Sequence, residues 1–114
     1  MDNCLFCRIV RREIPSRIVY EDDLVLGFYD IEPKAPVHIL LIPKVHIASL
    51  NDLTPEHSEV IAHLTSVIPM AAEKMGIKDS GYRVVVNCGK DSGQAVAHLH
   101  YHILGGRAFE NNFG

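Results

Sequence analysis

The most constraining feature of this 114-residue chain is an alternation near its end, His98-Leu99-His100-Tyr101-His102-Ile103. Residues two apart share one face of a β-strand. The pattern therefore predicts a strand over 97–104, with imidazoles along about 13 Å of one face and apolar side chains behind them. Buried imidazoles need hydrogen-bond partners, and protonation of one opposes protonation of the next. Such a row favours a functional site over an ordinary core.

Two other interpretations of the histidine row stay open at this point. The row could be a solvent-exposed face that is histidine-rich by chance, or a metal site, because alternating histidines on a strand can serve as ligands. Three of the seven histidines fall within five residues, on an otherwise apolar strand after a glycine-containing loop. That concentration makes the chance interpretation the weakest.

The rest of the chain predicts an α+β fold. The clearest helical period lies in 54–75, with Thr54 as N-cap, Gly76 as the stop and Pro69 expected to kink or divide the helix. A short helix over 4–10, ended by Pro15, precedes it. The predicted strands are 17–20, 24–29, 37–43, 82–88 and 97–104. Most connections are too short for parallel crossovers, so we expect one domain over 1–114 with a five-stranded antiparallel sheet.

Composition excludes several classes of protein. The net charge is -3, so no basic excess drives nucleic-acid binding. The longest uncharged apolar stretch, 35–43, holds nine residues, far short of the ~20 of a membrane helix. Arg8 and Arg11 follow only a few apolar residues, which is unlike a signal peptide. We expect a cytoplasmic protein with neither a nucleic-acid nor a membrane partner.

A second motif, Cys4-x-x-Cys7, has the spacing of a metal-ligand pair, because residues three apart on a turn present both thiols to one side. One such pair is an incomplete zinc site, and Cys88 adds a single thiol. Histidines could complete it. A redox-active pair and two unliganded buried thiols are the alternatives, and we favour zinc over both.

The segment 98–104 resembles the histidine-triad motif, in which histidines alternate with apolar residues, and Gly105-Gly106-Arg107 is similar to the ending of its Hint branch of nucleotide-binding proteins. Further similar segments, in the right order, are 12–15, 28–31, 42–47 and 81–87. The resemblance covers nearly the whole chain. It implies a HIT-like fold, purine nucleotide binding, hydrolysis of phosphoramidates such as adenosine 5′-monophosphoramidate, and a homodimer with a sheet continuous across its interface.

The resemblance also implies roles for the histidines. His100 would be the nucleophile that forms a covalent nucleotidyl-histidine. Its other ring nitrogen must hold the proton and donate it to an acceptor, expected to be the carbonyl of His98. His102 would donate to phosphate oxygens and His38 would support the triad from a neighbouring strand.

Nucleotide contacts follow from the same resemblance. Backbone amides of the loop after Gly89 would cradle the α-phosphate, Asn87 would contact the phosphate or the sugar, and Asp30 would bind the ribose hydroxyls. Apolar side chains would sandwich the base, although ordinary core residues would look the same. The amides are those of Gly93, Gln94 and Ala95, and the apolar residues are Leu5, Phe6, Ile9, Phe28 and Ile31.

The zinc-bearing branch of the superfamily resembles this chain in its candidate ligands, Cys4, Cys7, His46 and His98. That set would make a closed structural zinc site, and no organic cofactor is expected. His57 and His63 are predicted to lie on the helix surface. One departure is Ala95, because many Hint proteins carry there a serine that assists the leaving group.

The function predicted is hydrolysis of purine nucleoside phosphoramidates. A dinucleoside polyphosphate hydrolase or nucleotidyl transferase of the same superfamily is the nearest alternative, against which Gly105-Gly106-Arg107 argues. A nucleotide-binding regulatory protein with incidental catalysis stays open because of Ala95. A metal-binding protein in which all three triad histidines hold the ion is a further alternative.

Overall fold

The computed structural model describes residues 3–113; Met1, Asp2 and Gly114 of the predicted domain lie outside the described residues. Five antiparallel strands form one sheet, as predicted. The elements are α1 (Leu5–Val10), β1 (Ile18–Glu21), β2 (Val25–Tyr29), β3 (Val37–Pro43), α2 (Ser58–Lys74), β4 (Tyr82–Val85) and β5 (Tyr101–Gly105). The order of the strands in the sheet is β1-β2-β3-β5-β4. No helix within 3–113 is both long and apolar enough to cross a membrane.

Alternation along the central strand β3 gives the sheet two different faces. Ile39 and Leu41 are fully buried and pack in one cluster with Leu64 and Val67 of α2 and with Ile103 of β5. The neighbouring residues of β3 point the other way. The long helix therefore covers one whole face of the sheet with apolar side chains.

The opposite face is covered by the short helix α1. Phe6 and Ile9 of α1 pack with Phe28 of β2 and with Leu40 and Ile42 of β3. By the two-residue period of a strand, His38 shares this face with Leu40. His102 pairs with Leu40 across the β3–β5 ladder and lies on the same face. The chemistry-bearing side chains therefore gather on the α1 face.

Two prolines, Pro15 and Pro69, are predicted to interrupt the helices. The helix α1 ends at Val10, its predicted last residue, but a turn at Arg12 ends it rather than Pro15: the φ of 64° at Arg12 is incompatible with a continuing right-handed helix. The helix α2 is not divided at Pro69. Pro69 is exposed, so the carbonyl of Thr65 that loses its amide partner can bond to water instead.

The prediction of a strand over 97–100 is wrong, since β5 begins at Tyr101 and contains His102 but neither His98 nor His100. Its pairing with β4 stops at His102, because β4 ends at Val85, and its pairing with β3 stops at Tyr101, although β3 continues beside β2 to Pro43. The predicted residues 86–88 of β4 likewise lie outside the sheet.

The segment before β5 is held by side-chain and loop contacts, because it makes no ladder of β-sheet hydrogen bonds. The amide of Leu99 donates to the carbonyl of Ile47 at 2.6 Å. Nε2 of the His98 ring donates to the carbonyl of Pro43 at 2.8 Å. Pro43 is thus the last residue of β3, and its carbonyl also accepts the hydrogen bond from His98, the first histidine of the motif.

Candidate active site and metal centre

His100 carries the geometry expected of a nucleophile. Its Nδ1 lies 2.7 Å from the carbonyl oxygen of His98. A carbonyl can only accept, so Nδ1 holds the proton and Nε2 of the neutral ring keeps its lone pair. The side chain is buried, and the ring of Phe6 packs against it edge to face at 5.2 Å. The local backbone therefore fixes both the tautomer and the orientation of His100.

A second pair of imidazoles stands beside this nucleophile. The amide of Lys34 donates to Nδ1 of His38 at 3.0 Å, so the proton of the His38 ring is on Nε2. That Nε2 lies 2.9 Å from Nδ1 of His102, which must accept and therefore carries its own proton on Nε2. The His102 ring lies 5.0 Å from that of His100. The relay ends in an N–H donor next to the nucleophile.

These supporting imidazoles are neutral at neutral pH. Burial, reinforced by the neighbouring His100 and His38, lowers the pKa of His102 to about 4. Burial also lowers the pKa of His38, against the opposing effect of Asp30. Both rings therefore keep one donor and one acceptor nitrogen, as the relay requires.

Asp30 lies at the outer end of the relay. One carboxylate oxygen accepts from the amide of Glu32 at 2.7 Å, and the other lies 3.4 Å from Nε2 of His38. The structure thus brings the predicted ribose ligand next to the supporting histidine. Its carboxylate is held by the turn after β2.

The predicted base-binding residues divide into two groups. Phe6 and Phe28 are buried and pack edge to face at 5.4 Å, close to His100. Ile31 is 93% exposed and Leu5 is 43% exposed. The aromatic pair and the buried Ile9 therefore belong to the core beside the nucleophile, and only Leu5 and Ile31 lie at the surface.

The loop after β4 is closed by Gln94. Its side-chain amide nitrogen donates to Ala48 O at 2.8 Å, and its side-chain oxygen accepts from Gly89 N at 2.9 Å. The backbone amides of Gly93 and Gln94 donate within the loop, to Lys90 O and Gly89 O. Of the three predicted phosphate donors, only the amide of Ala95 has no hydrogen bond within the described residues. Asn87 is half-buried, two residues beyond the end of β4.

The four predicted metal ligands meet in one cluster. Cys4 is the N-cap of α1, and its Sγ accepts from the amide of Cys7 at 3.3 Å. Nδ1 of His98 lies 3.3 Å from Sγ of Cys4 and 3.5 Å from Sγ of Cys7. Nδ1 of His46 lies 3.2 Å from Sγ of Cys7. All four ligand atoms are within 4.8 Å of one another.

This cluster has the donor set and spacing of a tetrahedral site. Zinc–sulfur bonds of about 2.3 Å and zinc–nitrogen bonds of about 2.0 Å put ligand atoms roughly 3.5 Å apart at tetrahedral angles. The ring proton of His98 is directed at Pro43 O, which leaves Nδ1 free to ligate. Burial and the neighbouring Cys4 raise the pKa of the Cys7 thiol to about 11, so a thiolate here needs a cation. The residues fit a divalent zinc-like ion.

The three histidines of the motif do not converge on one ion. Within residues 3–113, His98 groups with the cysteines and His102 groups with Asp30 and His38. A metal at the second group would need the Nε2 lone pair of His38, whose Nδ1 already accepts from Lys34. That group is better described as a hydrogen-bond relay.

Two contributors to the site were not foreseen from the sequence. They are the amide of Lys34 and the carbonyl of Pro43, which set the tautomers of His38 and His98. Both are backbone groups next to predicted elements, so a side-chain motif carries no signal for them.

The two helix histidines are half-buried: His57 accepts from Thr54 N and His63 contacts Asp22.

Comparison with known proteins agrees with this arrangement. The HIT domain model matches residues 11–109. A purine nucleoside phosphoramidase of Escherichia coli K12 is 47% identical over 106 residues, covering 93% of this chain and 89% of the relative. A solved histidine triad protein of Clostridium difficile is 49% identical with a TM-score of 0.93, covering 99% of this chain and 97% of that one. A HIT family hydrolase of Legionella pneumophila Philadelphia 1 is 45% identical with a TM-score of 0.93, covering 96% and 97%. The chain therefore belongs to the HIT family, a family that includes hydrolases.

Proposed function

We propose that this chain hydrolyses purine nucleoside phosphoramidates through a covalent nucleotidyl intermediate on His100. The observation that carries the proposal is the 2.7 Å hydrogen bond from Nδ1 of His100 to the carbonyl of His98, which leaves a lone pair on Nε2. Similarity to a purine nucleoside phosphoramidase supports the substrate class. The buried aromatic pair beside His100 supports a planar base as its neighbour.

In the first step Nε2 of His100 attacks the α-phosphorus as the phosphorus–nitrogen bond breaks. The amine leaves with a proton, and Nδ1 of His100 keeps its own, facing the His98 carbonyl. The positive charge on the modified ring is stabilised by that carbonyl. His102 donates from Nε2 to a phosphate oxygen and opposes the charge that develops there.

In the second step water attacks the phosphorus, gives up one proton to the solvent and releases the nucleoside monophosphate. The bond to Nε2 breaks, and the neutral His100 ring returns with the same tautomer. His38 holds the donor orientation of His102 throughout, because its Nε2 proton is directed at Nδ1 of that ring.

Ala95 offers no hydroxyl to the leaving group. We propose that its amide donates to a phosphate oxygen, whereas the proton for the amine must come from water or arrive on the substrate. We therefore expect faster cleavage of substrates whose amine is readily protonated than of those with a poor leaving group.

Rapid-quench kinetics with a radiolabelled adenosine phosphoramidate test this function. Wild type and His57→Ala, a histidine variant outside the site, should form a labelled protein adduct that decays to adenosine monophosphate. His100→Ala should form none. Binding without turnover in wild type would contradict the enzyme and favour a regulatory nucleotide-binding protein. Faster turnover of a dinucleoside polyphosphate would favour the other hydrolase class.

We also propose that Cys4, Cys7, His46 and His98 hold a structural zinc ion. The ion would supply a cross-link between α1 and the segment before β5, stabilising a small domain. Purified wild type and Cys88→Ser should contain one equivalent of zinc, while Cys4→Ser should contain much less. Unchanged zinc in Cys4→Ser would reject this ligand set.

We propose a homodimer in which β4 continues the sheet into a second copy. The other edge strand, β1, is partly blocked, because Nζ of Lys74 donates to Val19 O at 2.5 Å. Val84 on β4 is 38% exposed. Sedimentation should give a dimer for wild type and a monomer for Val84→Lys, and a wild-type monomer would refute the interface.

We also propose a cytoplasmic location. The thiols of Cys4, Cys7 and Cys88 form no disulfide, which agrees with a reducing compartment.

A further inference from the structure

His98 belongs to both centres of the molecule at once. Nδ1 of its ring lies 3.3 Å and 3.5 Å from the two cysteine sulfurs, and its backbone carbonyl accepts the Nδ1 proton of His100. The side chain of one residue thus belongs to the ligand cluster and its backbone to the candidate active site. Whatever fixes the ring of His98 therefore also fixes the group that sets the tautomer of the nucleophile.

The segment that carries this carbonyl has little backbone support of its own. It precedes β5, which begins at Tyr101, so no sheet ladder holds residues 98–100. The amide of Leu99 makes one hydrogen bond, to Ile47 O. The remaining anchors are side-chain contacts of His98: Nε2 to Pro43 O, Nδ1 to the cysteines, and ring contacts with Phe6 at 5.9 Å and His46 at 5.0 Å.

The helix α1 adds a second connection between the two centres. Phe6 lies between Cys4 and Cys7 in the sequence, and its ring meets the edges of both His98 and His100. Ligation of the two thiols therefore also holds the aromatic side chain that packs on the nucleophile. Two connections therefore link the ligand cluster to the His100 ring, one through the carbonyl of His98 and one through the ring of Phe6.

From this geometry we infer that His98 is a positioning residue, whose ring, tethered to an ion with Cys4, Cys7 and His46, holds His100 in its nucleophilic tautomer. The inference rests on the proposed function for its catalytic meaning. Without the tether the His98 carbonyl is free to turn away, and the proton of His100 can move to Nε2, where it blocks the lone pair. The site proposed as structural would then control the rate of the chemical step.

His46 allows the ion to be removed while the residues that form the two connections, Cys4, Cys7, Phe6 and His98, stay unchanged. It ligates through Nδ1 beside Cys7 and contacts the ring of His98. An open cavity of about 480 Å³ lined in part by Cys4, His46 and Ala95 gives a chelator access. His46→Asn should therefore bind zinc more weakly and release it to a chelator. His57→Asn is the matched control.

The test uses the full chain labelled with ¹⁵N-histidine, with and without zinc, at about pH 8, where unperturbed histidines are neutral. Imidazole nitrogen shifts distinguish a protonated nitrogen from one with a lone pair, and His100→Gln assigns the signals. Loaded wild type and His57→Asn should show His100 protonated on Nδ1 alone. Zinc-free wild type and His46→Asn should show a mixture of tautomers. Their kcat should fall about tenfold, with KM changed less than about twofold.

His98→Ala loaded with zinc covers the case in which zinc-free protein unfolds. Excess zinc keeps Cys4, Cys7 and His46 occupied there, whereas the His98 ring and all of its contacts, including the one with Pro43 O, are lost. A mixture of tautomers on His100 is expected, and a single Nδ1-protonated form would overturn the inference. An equally clear refutation is zinc-free wild type that keeps this form and its kcat. If the tautomer responds to zinc but no adduct forms on His100, the proposed function fails and the coupling stands.

Discussion

The two faces of the sheet differ in the polarity of the side chains that cover them. The face under α2 is a continuous apolar cluster from Val19 to Ile103, closed by Leu64 and Val67. The face under α1 mixes a smaller apolar cluster with buried imidazoles and thiols. One strand, β3, supplies both through its alternation, with Ile39 and Leu41 on one side and His38 and Leu40 on the other.

The difference shows how a small domain carries several buried polar groups. Apolar burial on the α2 face supplies most of the stability, since each large side chain contributes about 1.5–3 kcal/mol on full burial. The α1 face has to satisfy each polar atom individually, and in the described residues no buried side-chain nitrogen or oxygen lacks a partner. The sheet thereby separates the apolar core on the α2 face from the chemically reactive side chains on the α1 face.

The largest effect should come from opening a cavity under α2. Leu64 is fully buried in the apolar cluster, so Leu64→Ala should lower the free energy of unfolding by about 2–5 kcal/mol. Because the apolar cluster around Leu64 contains none of the site residues, kcat of the folded protein should stay within about twofold of wild type. Urea unfolding and steady-state assays on the same preparations check this. A tenfold loss of kcat would show that the two faces are not independent.

The second-largest effect is expected on the α1 face, at His38. His38→Ala removes the donor that sets the tautomer of His102 and leaves the Lys34 amide without its partner. We expect kcat to fall about 10- to 100-fold, which corresponds to about 1.4–2.7 kcal/mol of transition-state stabilisation. KM should change much less. Loss of activity confined to KM would place His38 in substrate binding and contradict the relay.

Sequence reasoning found the α2 face more completely than the α1 face, for a physical reason. The apolar period of α2 and the strand 37–43 follow from local patterns that packing reinforces. The pattern of residues 98–104 predicts one strand, whereas only 101–104 lie in the sheet. The strand β4 ends opposite His102, and the His98 ring turns to the cysteines and to the carbonyl of Pro43. Such contacts between distant segments leave no periodicity to detect.

Acid sensitivity should also belong to the α1 face. Burial lowers the pKa of His102 to about 4 from its ordinary 6.5. Below pH 6.5 the unfolded chain takes up a proton that the folded His102 refuses until about pH 4, so stability falls as the pH drops through this window. Urea unfolding at several pH values should show a smaller loss in His102→Gln than in wild type. We expect a difference on the order of 1 kcal/mol. Parallel curves would mean that His102 does not contribute.

The smallest effect should come from the polar contact at the border of the α2 face. Nε2 of His63 lies 2.6 Å from Asp22, whose carboxylate also accepts from Tyr20 and from the amides of Leu24 and Val25. Although burial opposes its charge, these hydrogen bonds lower the pKa of Asp22 below its ordinary 3.8. The stabilisation from Asp22 is therefore present above that value and is lost as the pH falls toward the folded pKa.

Because the pair is partly exposed, His63→Ala should lower the free energy of unfolding at pH 7 by only about 0.2–1 kcal/mol, with kcat unchanged. His63→Gln keeps a donor for Asp22 and should restore most of this loss if the hydrogen bond matters more than the charge. Urea unfolding of both variants measures the difference. A loss of activity in either variant would contradict the assignment of His63 to structure, and with it the separation of the two faces on which the other predictions rest.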